Sequence, residues 1–340
     1  MRVLVTGAGG FLGRHLVARL LARGDRVTAL DLAFPEHMPD EAERITGSVT
    51  DPEVVRRAVA GAEGVIHAAA VTGLWARDPR LFERVNTAGS KQVFAAAAEA
   101  GARRAVLVSS YTTLISGRRS SARRRLDETE ELPPETLLGP YPRSKRRAEL
   151  AALQGPLKPA IVLPAAPVGP GDATPTPPGA MLRDMAEGRL PAMIRCDWAM
   201  VDIRAVADAT IAALERGVPG RRYLLAGETI DTDSLVATFE RASGLRGPRL
   251  RVPYGIALLA ARLEAGISRL TGTPPKAPLT GLRLAGPALS FDGARAREEL
   301  GFDPGCLETA MRDALTWMRG QGLIARALPA LPPEAGGQAG

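Results

Sequence analysis

Short apolar runs alternate with amphipathic stretches along the first half of the chain. Val3-Leu4-Val5-Thr6 reads as a strand, and Phe11 to Ala22 carries helical spacing closed by Gly24. Arg26 to Asp31 predicts a second strand, Arg44 to Thr46 a short third, Asp51 to Ala60 a helix and Gly64 to His67 a fourth strand. Pro79 to Ala100 follows as a long Ala-rich helix and Ala105 to Val108 as a fifth strand. Tyr141 to Gln154 is then a helix and Ala160 to Leu163 a sixth strand. Uninterrupted apolar runs mark strands buried on both faces. Strand and helix in this rhythm predict an α/β fold, a doubly wound parallel sheet covered on both sides.

After Leu163 the pattern changes. Residues 164–179 hold six prolines and three glycines, which predicts a structured loop without helix or strand. Helical spacing returns at Ile203 to Arg216, Asp233 to Ala242, Tyr254 to Leu270, Asp292 to Leu300 and Leu307 to Gly320. The expected organisation is a first domain over 1–165, to which 199–216 returns, and a smaller C-terminal α/β domain over 166–326. Residues 327–340 are mostly Ala, Pro, Gly and Leu, the composition of a mobile tail.

Composition sets limits. The 340 residues allow about two domains, and 45% hydrophobic content excludes a disordered chain. The net charge is +7, but 40 Arg stand against 4 Lys and are spread along the whole length. That imbalance reads as a GC-rich coding bias, and unclustered charge argues against a nucleic-acid surface. Cys196 and Cys306 cannot build a disulfide framework, and His15, His37 and His67 lie too far apart for a local metal motif. No metal is expected. The chain enters a strand at once, and its longest later apolar stretch, Val252 to Ala261, is about half the length of a spanning helix. Neither a leader nor a membrane span is therefore expected, and the protein is placed in the cytoplasm.

Three features bring chemistry. Gly7, Gly10 and Gly13 follow the first strand and open the first helix in Thr6-Gly7-Ala8-Gly9-Gly10-Phe11-Leu12-Gly13. That spacing gives a tight turn, close approach of backbone to a pyrophosphate, and close helix–strand packing. The helix N-terminus then offers N–H groups to the anion. Asp31, 24 residues after Gly7, can accept hydrogen bonds from the hydroxyls of an adenosine ribose. The plain alternative is a turn cluster with no ligand. Tyr141 and Lys145, at i and i+4, share one helix face, and a nearby cation brings a phenol toward usefulness as a base. Taken alone, the pair also suits a helix surface. Ser110 follows the fifth strand, at the sheet edge where open α/β folds bind ligands, although such a serine is commonly a turn or cap residue.

In this order, Thr-Gly-x-x-Gly-x-x-Gly, Asp31, Ser110 and Tyr141-x-x-x-Lys145 resemble the extended short-chain dehydrogenases/reductases, the NAD-dependent epimerase/dehydratase group. Val168-Gly169-Pro170-Gly171-Asp172, Met200-Val201-Asp202-Ile203 and Phe291-Asp292 through Leu300-Gly301-Phe302 are similar to its later landmarks. The resemblance therefore covers nearly the whole chain. Leu74 to Pro79, Pro167 to Pro170 and Gly220 to Glu228 resemble the hopanoid-associated sugar epimerases. That branch lies near the dihydroflavonol 4-reductases and 3β-hydroxysteroid dehydrogenases.

The resemblance implies a Rossmann-type sheet and hydride exchange between a nicotinamide and a carbinol carbon. It makes Tyr141 the acid/base, Lys145 the ribose-binding residue that lowers its pKa, and Ser110 the holder of the substrate oxygen, with Thr112 as the alternative hydroxyl. The cofactor would lie against Gly7, Gly10, Phe11, Leu12, Gly13, Asp31, Ser48, Val49, Ala68, Ala69, Asn86, Tyr141, Lys145 and Pro164. NAD is expected over NADP because of Asp31, with Arg14 the one cation placed to reach a 2′-phosphate. The implied substrate is a small molecule, first a nucleotide-sugar for epimerisation or dehydration. A non-sugar alcohol or ketone is the alternative, a non-catalytic dinucleotide sensor a third, and a homodimer is left open. Three positions depart from the family: Ser48 stands where Asp is usual, Leu163 where Arg is usual, and Ala205 where an acid is usual. These bear on affinity and substrate.

Arg118, Arg119, Arg123, Arg124 and Arg125 precede Asp127, Glu128, Glu130, Glu131 and Glu135. Such a run either meets a phosphorylated substrate or neutralises itself in solvent. Trp75 and Trp198 are open between lining the cleft and filling the core.

Overall fold

Alternation along the strands decides where the helices go. In β1 (Arg2–Thr6), Val3 and Val5 join one core with Leu16, Val17, Leu20 and Val206, while Leu4 between them joins another with Val55, Val59, Val93 and Ala97. A strand buried on both faces needs helices on both. Its sheet continues with β2 (Arg26–Asp31), β3 (Glu43–Thr46), β4 (Gly64–His67), β5 (Arg104–Val108), β6 (Ala160–Pro164) and β7 (Arg222–Leu225). All seven run parallel in the order β3-β2-β1-β4-β5-β6-β7. The order reverses at β1, so a crevice opens beyond the carboxyl ends of β1 and β4. The computed structural model describes all residues except 37, 74, 118–123, 272, 274–278, 286–288 and 330–340, and only the backbone of 269 and 270.

The first-half helices are α1 (Phe11–Ala22), α2 (Pro52–Val59), α3 (Ser90–Glu99) and α4 (Pro140–Leu153). The later ones are α5 (Pro177–Ala186), α6 (Ile203–Arg216), α7 (Thr232–Ser243), α8 (Tyr254–Thr271), α9 (Leu279–Leu284), α10 (Ala294–Leu300) and α11 (Leu307–Gly320). α1 and α6 lie side by side on one face of the sheet, while α2, α3 and α4 follow one another on the other. A second core, with Leu182, Met200, Leu235, Phe239, Met311 and Leu315, is enclosed by α5, α7 and α11 around the strand Asp197–Asp202. That strand pairs with Ala166–Val168 and Thr229–Asp231. Among the described residues no helix is long and apolar enough to cross a membrane.

Three features differ from the sequence expectation. Residues 164–179 contain the strand Ala166–Val168 and the start of α5, because Pro177 and Pro178 occupy first-turn positions whose N–H would have no helical partner. Thr176 caps that helix by accepting from the Gly179 N–H at 3.4 Å. β7, which the pattern did not give, joins the sheet beside β6, and α10 packs with it, so more than 199–216 returns to the first layer. The helix expected over 79–100 contains a π-helical segment, Glu83–Gly89. The expected tail lies outside the described residues from 330 onward.

The close fit of α1 on the first turn is testable. A Cβ on Gly13 would stand 2.0 Å from the Gly7 carbonyl oxygen and 2.7 Å from Ala8 Cα, both backbone atoms. Gly13→Ala is expected to lower the unfolding free energy in urea by about 2 kcal/mol or more. A change below about 0.5 kcal/mol would show that helix and turn do not press together.

Candidate active site

The turn after β1 floors the crevice. Gly7 has φ +69°, a left-handed conformation that suits glycine, and its N–H donates to the Leu30 carbonyl at 2.9 Å. A Cβ on Gly7 would meet the Ala69 nitrogen at 2.7 Å, and one on Gly9 the Ala33 carbonyl at 2.4 Å. Three backbone segments therefore converge with no side chain between them. Gly10 is exposed and leads α1 without a side-chain cap, which leaves the first-turn N–H groups of Phe11, Leu12 and Gly13 to a ligand. This is an anion cradle.

At the other end, Asp31 is fixed by backbone donors: Gly9 N–H reaches Oδ2 at 2.9 Å and Leu32 N–H reaches Oδ1 at 2.6 Å. Arg14 does not face it. Its guanidinium lies 5.8 Å over the Trp317 ring, where burial lowers its pKa and Asp172 opposes that. Ser48 Oγ is 2.8 Å from Thr50 Oγ1, whereas the Val49 side chain is buried against Gly89 and its carbonyl accepts from Gln92 at 3.2 Å. Val49 can thus offer the crevice only backbone. Ala68 and Ala69 follow β4, their N–H groups donating to the Thr6 carbonyl at 3.1 Å and to Thr6 Oγ1 at 3.2 Å. Pro164 ends β6, partly buried.

The hydroxyls meet between β5 and α4. Gly139, at φ +88°, turns the chain into α4, whose first turn carries Tyr141. Ser110 caps the short 3-10 turn Tyr111–Leu114 and hydrogen-bonds the Tyr141 phenol. It also accepts from Thr112 Oγ1 at 3.0 Å, so the two alternative hydroxyls form one chain ending at the phenol. Burial holds the phenol above its ordinary value, and the Ser110 bond acts against that. Lys145 is buried, its ammonium donating to the Val108 carbonyl at 2.6 Å. Burial lowers its pKa to about 8 while Glu149 opposes the fall. The Lys145 ammonium thus rests on the Val108 carbonyl, while burial and Ser110 are what act on the phenol.

Beneath this pair lies a charge network absent from the sequence reading. Glu149, fully buried on α4, accepts from Ser109 Oγ with one oxygen and from Arg146 at 2.8 Å with the other, and the Arg222 guanidinium lies 3.2 Å away. Arg222 also donates to Thr113 Oγ1 at 2.9 Å and to the carbonyls of Glu128 and Glu130 at 3.2 and 3.0 Å. Glu128, grouped by the sequence in a solvated acidic run, is buried and accepts from the Leu224 N–H at 2.8 Å. Arg124 pairs with Glu130 and Arg125 with Asp292, each at 2.8 Å, while Arg118, Arg119 and Arg123 lie outside the described residues.

Two further residues brace the walls. Asn86, in the π-helical segment, accepts from Val71 N–H at 2.8 Å and donates to Val71 carbonyl at 3.1 Å and Ser144 Oγ at 2.9 Å. Its amide therefore ties Val71 to α4. His67 sits between Thr6 Oγ1 at 2.7 Å and Ser90 Oγ at 2.9 Å, and burial followed by the Lys145 charge pushes its pKa down to about 3. Trp198 packs on the second core and donates to Thr232 Oγ1 at 3.1 Å, which is a core role.

The model of the NAD dependent epimerase/dehydratase family matches residues 3–226, from β1 past the end of β7. The chain belongs to this family. Among similar proteins, a putative dihydroflavonol 4-reductase from Synechocystis sp. is 31% identical over 332 residues, 94% of this chain and 95% of that protein. Sterol demethylase protein B from Methylococcus capsulatus is 33% identical over 337 residues, 95% and 100% of the two chains. The crystal structure of gox2253 superposes with a TM-score of 0.81 at 31% identity, covering 95% and 99%. The protein is thus an extended short-chain dehydrogenase/reductase, an oxidoreductase-type enzyme whose cofactor is NAD. The residues present fit that cofactor, because the Gly7–Gly13 cradle is closed to any Cβ at three positions and its helix end is uncapped. Among the described residues no three His, Cys, Asp or Glu side chains gather to hold a metal.

Glu149 was legible in principle, four residues after Lys145 and so on the same helix face. Arg222 was not, since nothing local marks it.

Two outcomes follow for this family member. Tyr141→Phe is expected to lower turnover about a hundredfold to ten-thousandfold with NAD affinity nearly unchanged; retention of more than about a tenth of wild-type activity would exclude the phenol as acid/base. For His67 the folded pKa of about 3 lies below the ordinary 6.5, so the unfolded chain binds the extra proton between those values. The stability held by the neutral ring is complete above pH 6.5 and is lost as pH falls toward about 3. His67→Gln should accordingly flatten the fall in urea midpoint over that window relative to wild type. Equal slopes would show that the ring does not titrate out of the fold.

Proposed function

We propose that the protein is an NAD(H)-dependent oxidoreductase acting on a secondary alcohol or ketone of a largely apolar small molecule. The observation that carries this reading is the aromatic setting of the reacting phenol. Phe82 lies edge-on to Tyr141 at 6.4 Å, and Tyr111, which follows Ser110, lies edge-on to Phe291 at 5.3 Å. These aromatic side chains carry no charge near neutral pH, and burial lifts the Tyr111 phenol further still, to about 12. The cations available to a nucleotide-sugar diphosphate from the Arg loop are reduced, since Arg124 and Arg125 each hold a carboxylate. The names of the two curated relatives, a putative dihydroflavonol 4-reductase and a sterol demethylase protein, support an apolar substrate. The nucleotide-sugar epimerase remains the competing reading, carried by the family's name.

When bound, NAD supplies the hydride acceptor or donor for the carbinol carbon. Tyr141 gives or takes the hydroxyl proton. Held above its ordinary value, the phenol is protonated near pH 7, which suits protonation of the oxygen of a ketone undergoing reduction. Ser110 shares a hydrogen bond with that phenol and positions the substrate oxygen, with Thr112 orienting Ser110 from behind. Lys145 is placed deeper on the same helix face, where Glu149 favours its charged form.

Asp31 would select NAD over NADP, because a 2′-phosphate would place a dianion beside a carboxylate already fixed by two N–H groups. Asp31→Asn is expected to shift the ratio of the two dissociation constants toward NADP by about tenfold or more. Wild type that binds NADP more tightly than NAD, or a variant whose ratio stays put, would remove Asp31 as the selector. For the substrate, NADH oxidation with a panel of apolar cyclic and long-chain ketones is compared with epimerisation of UDP-hexoses. Turnover of the ketones is expected; turnover confined to UDP-hexoses would overturn the reading in favour of the epimerase.

A further inference from the structure

α8 carries an aliphatic face that the fold does not cover. Ile256, Leu259, Leu263 and Ile267 are 62%, 59%, 65% and 60% exposed. At about 100° per residue these four fall within a stripe about 60–80° wide, with exposed Ala260 beside them, and Ala261 and Ser268 on the opposite side are buried. The stripe runs about 16 Å along the helix. Isolated exposed leucines need no explanation, but a contiguous aliphatic row does.

We infer that this face is an interfacial helix that rests α8 on the surface of a bilayer containing anionic lipid. Three observations choose the membrane over a protein partner. The face has no exposed Trp, Tyr or Phe, the side chains that anchor protein interfaces. Its exposed charge is positive: among the described side chains of α8 and α9, Arg262 and Arg283 are the exposed ionisable ones, whereas Glu264 is half-buried and has a partner. The whole chain carries +7, which adds attraction to an anionic surface. A helix with aliphatic residues on one side and cations at its margin is the form that lies in the headgroup boundary.

The position also suits the site. α8 packs on α9, with Tyr254 Oη donating to the Leu282 carbonyl at 3.0 Å. α9 in turn places Thr280 against Gly139, where a Cβ would meet the threonine at 2.8 Å. Gly139 leads into the helix that bears Tyr141. The bilayer contact is thus two packed helices away from the acid/base residue, and a lipid-dissolved alcohol or ketone would enter from that side. This last point rests on the proposed apolar substrate; the docking itself does not.

The test is flotation of the full-length protein with phosphatidylcholine vesicles, with and without phosphatidylglycerol. Wild type is expected to float with the mixed vesicles and to float less as salt rises. Leu259→Gln/Leu263→Gln is expected to lower the partition coefficient at least about tenfold, with NAD affinity and turnover of a water-soluble ketone unchanged. Wild type that stays at the bottom of the gradient, or a double variant that floats equally, would overturn the inference. So would a dimer by gel filtration that the double variant splits, since a second copy would then be the occupant. Apolar-ketone turnover without flotation removes the docking alone, whereas flotation without such turnover removes the substrate reading alone.

Discussion

A buried carboxylate holds the chemistry in register. Glu149 gathers Ser109 from the end of β5, Arg146 from its own helix and Arg222 from β7. Ser110 lies in the segment that follows β5 and Tyr141 on α4, and their hydrogen bond depends on how β5 and α4 sit together. Desolvation cancels much of the attraction within such a cluster, so its net stabilisation is small, yet stranding one member costs about 3–5 kcal/mol. What the network gives is geometry. It also places a carboxylate one turn from Lys145, which opposes the lowering of that ammonium's pKa by burial.

The same pattern of local cause and distant consequence separates what was legible in the sequence from what was not. The Gly7–Gly13 turn could be read because its demands are backbone demands, met within a few residues. Tyr141 and Lys145 could be read because helical spacing fixes their shared face. Prolines misled the reading at 164–179, where Pro177 and Pro178 begin a helix instead of preventing one. β7 escaped it because Arg222 at the strand's head looks like a surface residue until its partner 73 positions earlier (222 − 149) is brought beside it. The partners of two side chains were not legible either: Asn86, set against the cofactor by the resemblance, bonds Val71 and Ser144, and Arg14, named as the one cation placed to reach a 2′-phosphate, lies over Trp317.

The cradle and the hydroxyl chain rest on a sheet buried on both faces, the arrangement that best preserves sub-ångström geometry. The second layer is built from short strands and helices around a separate core, and an aliphatic helix faces outward.

The claim that Glu149 sets the geometry of catalysis is tested most directly by Glu149→Gln, which keeps the side chain's shape and removes its charge. Kinetics are measured at a temperature where circular dichroism shows the variant folded, alongside titration of NAD. The expected result is a kcat lowered at least about tenfold with the NAD dissociation constant within about threefold of wild type. A kcat within about twofold of wild type in a folded variant would contradict the account.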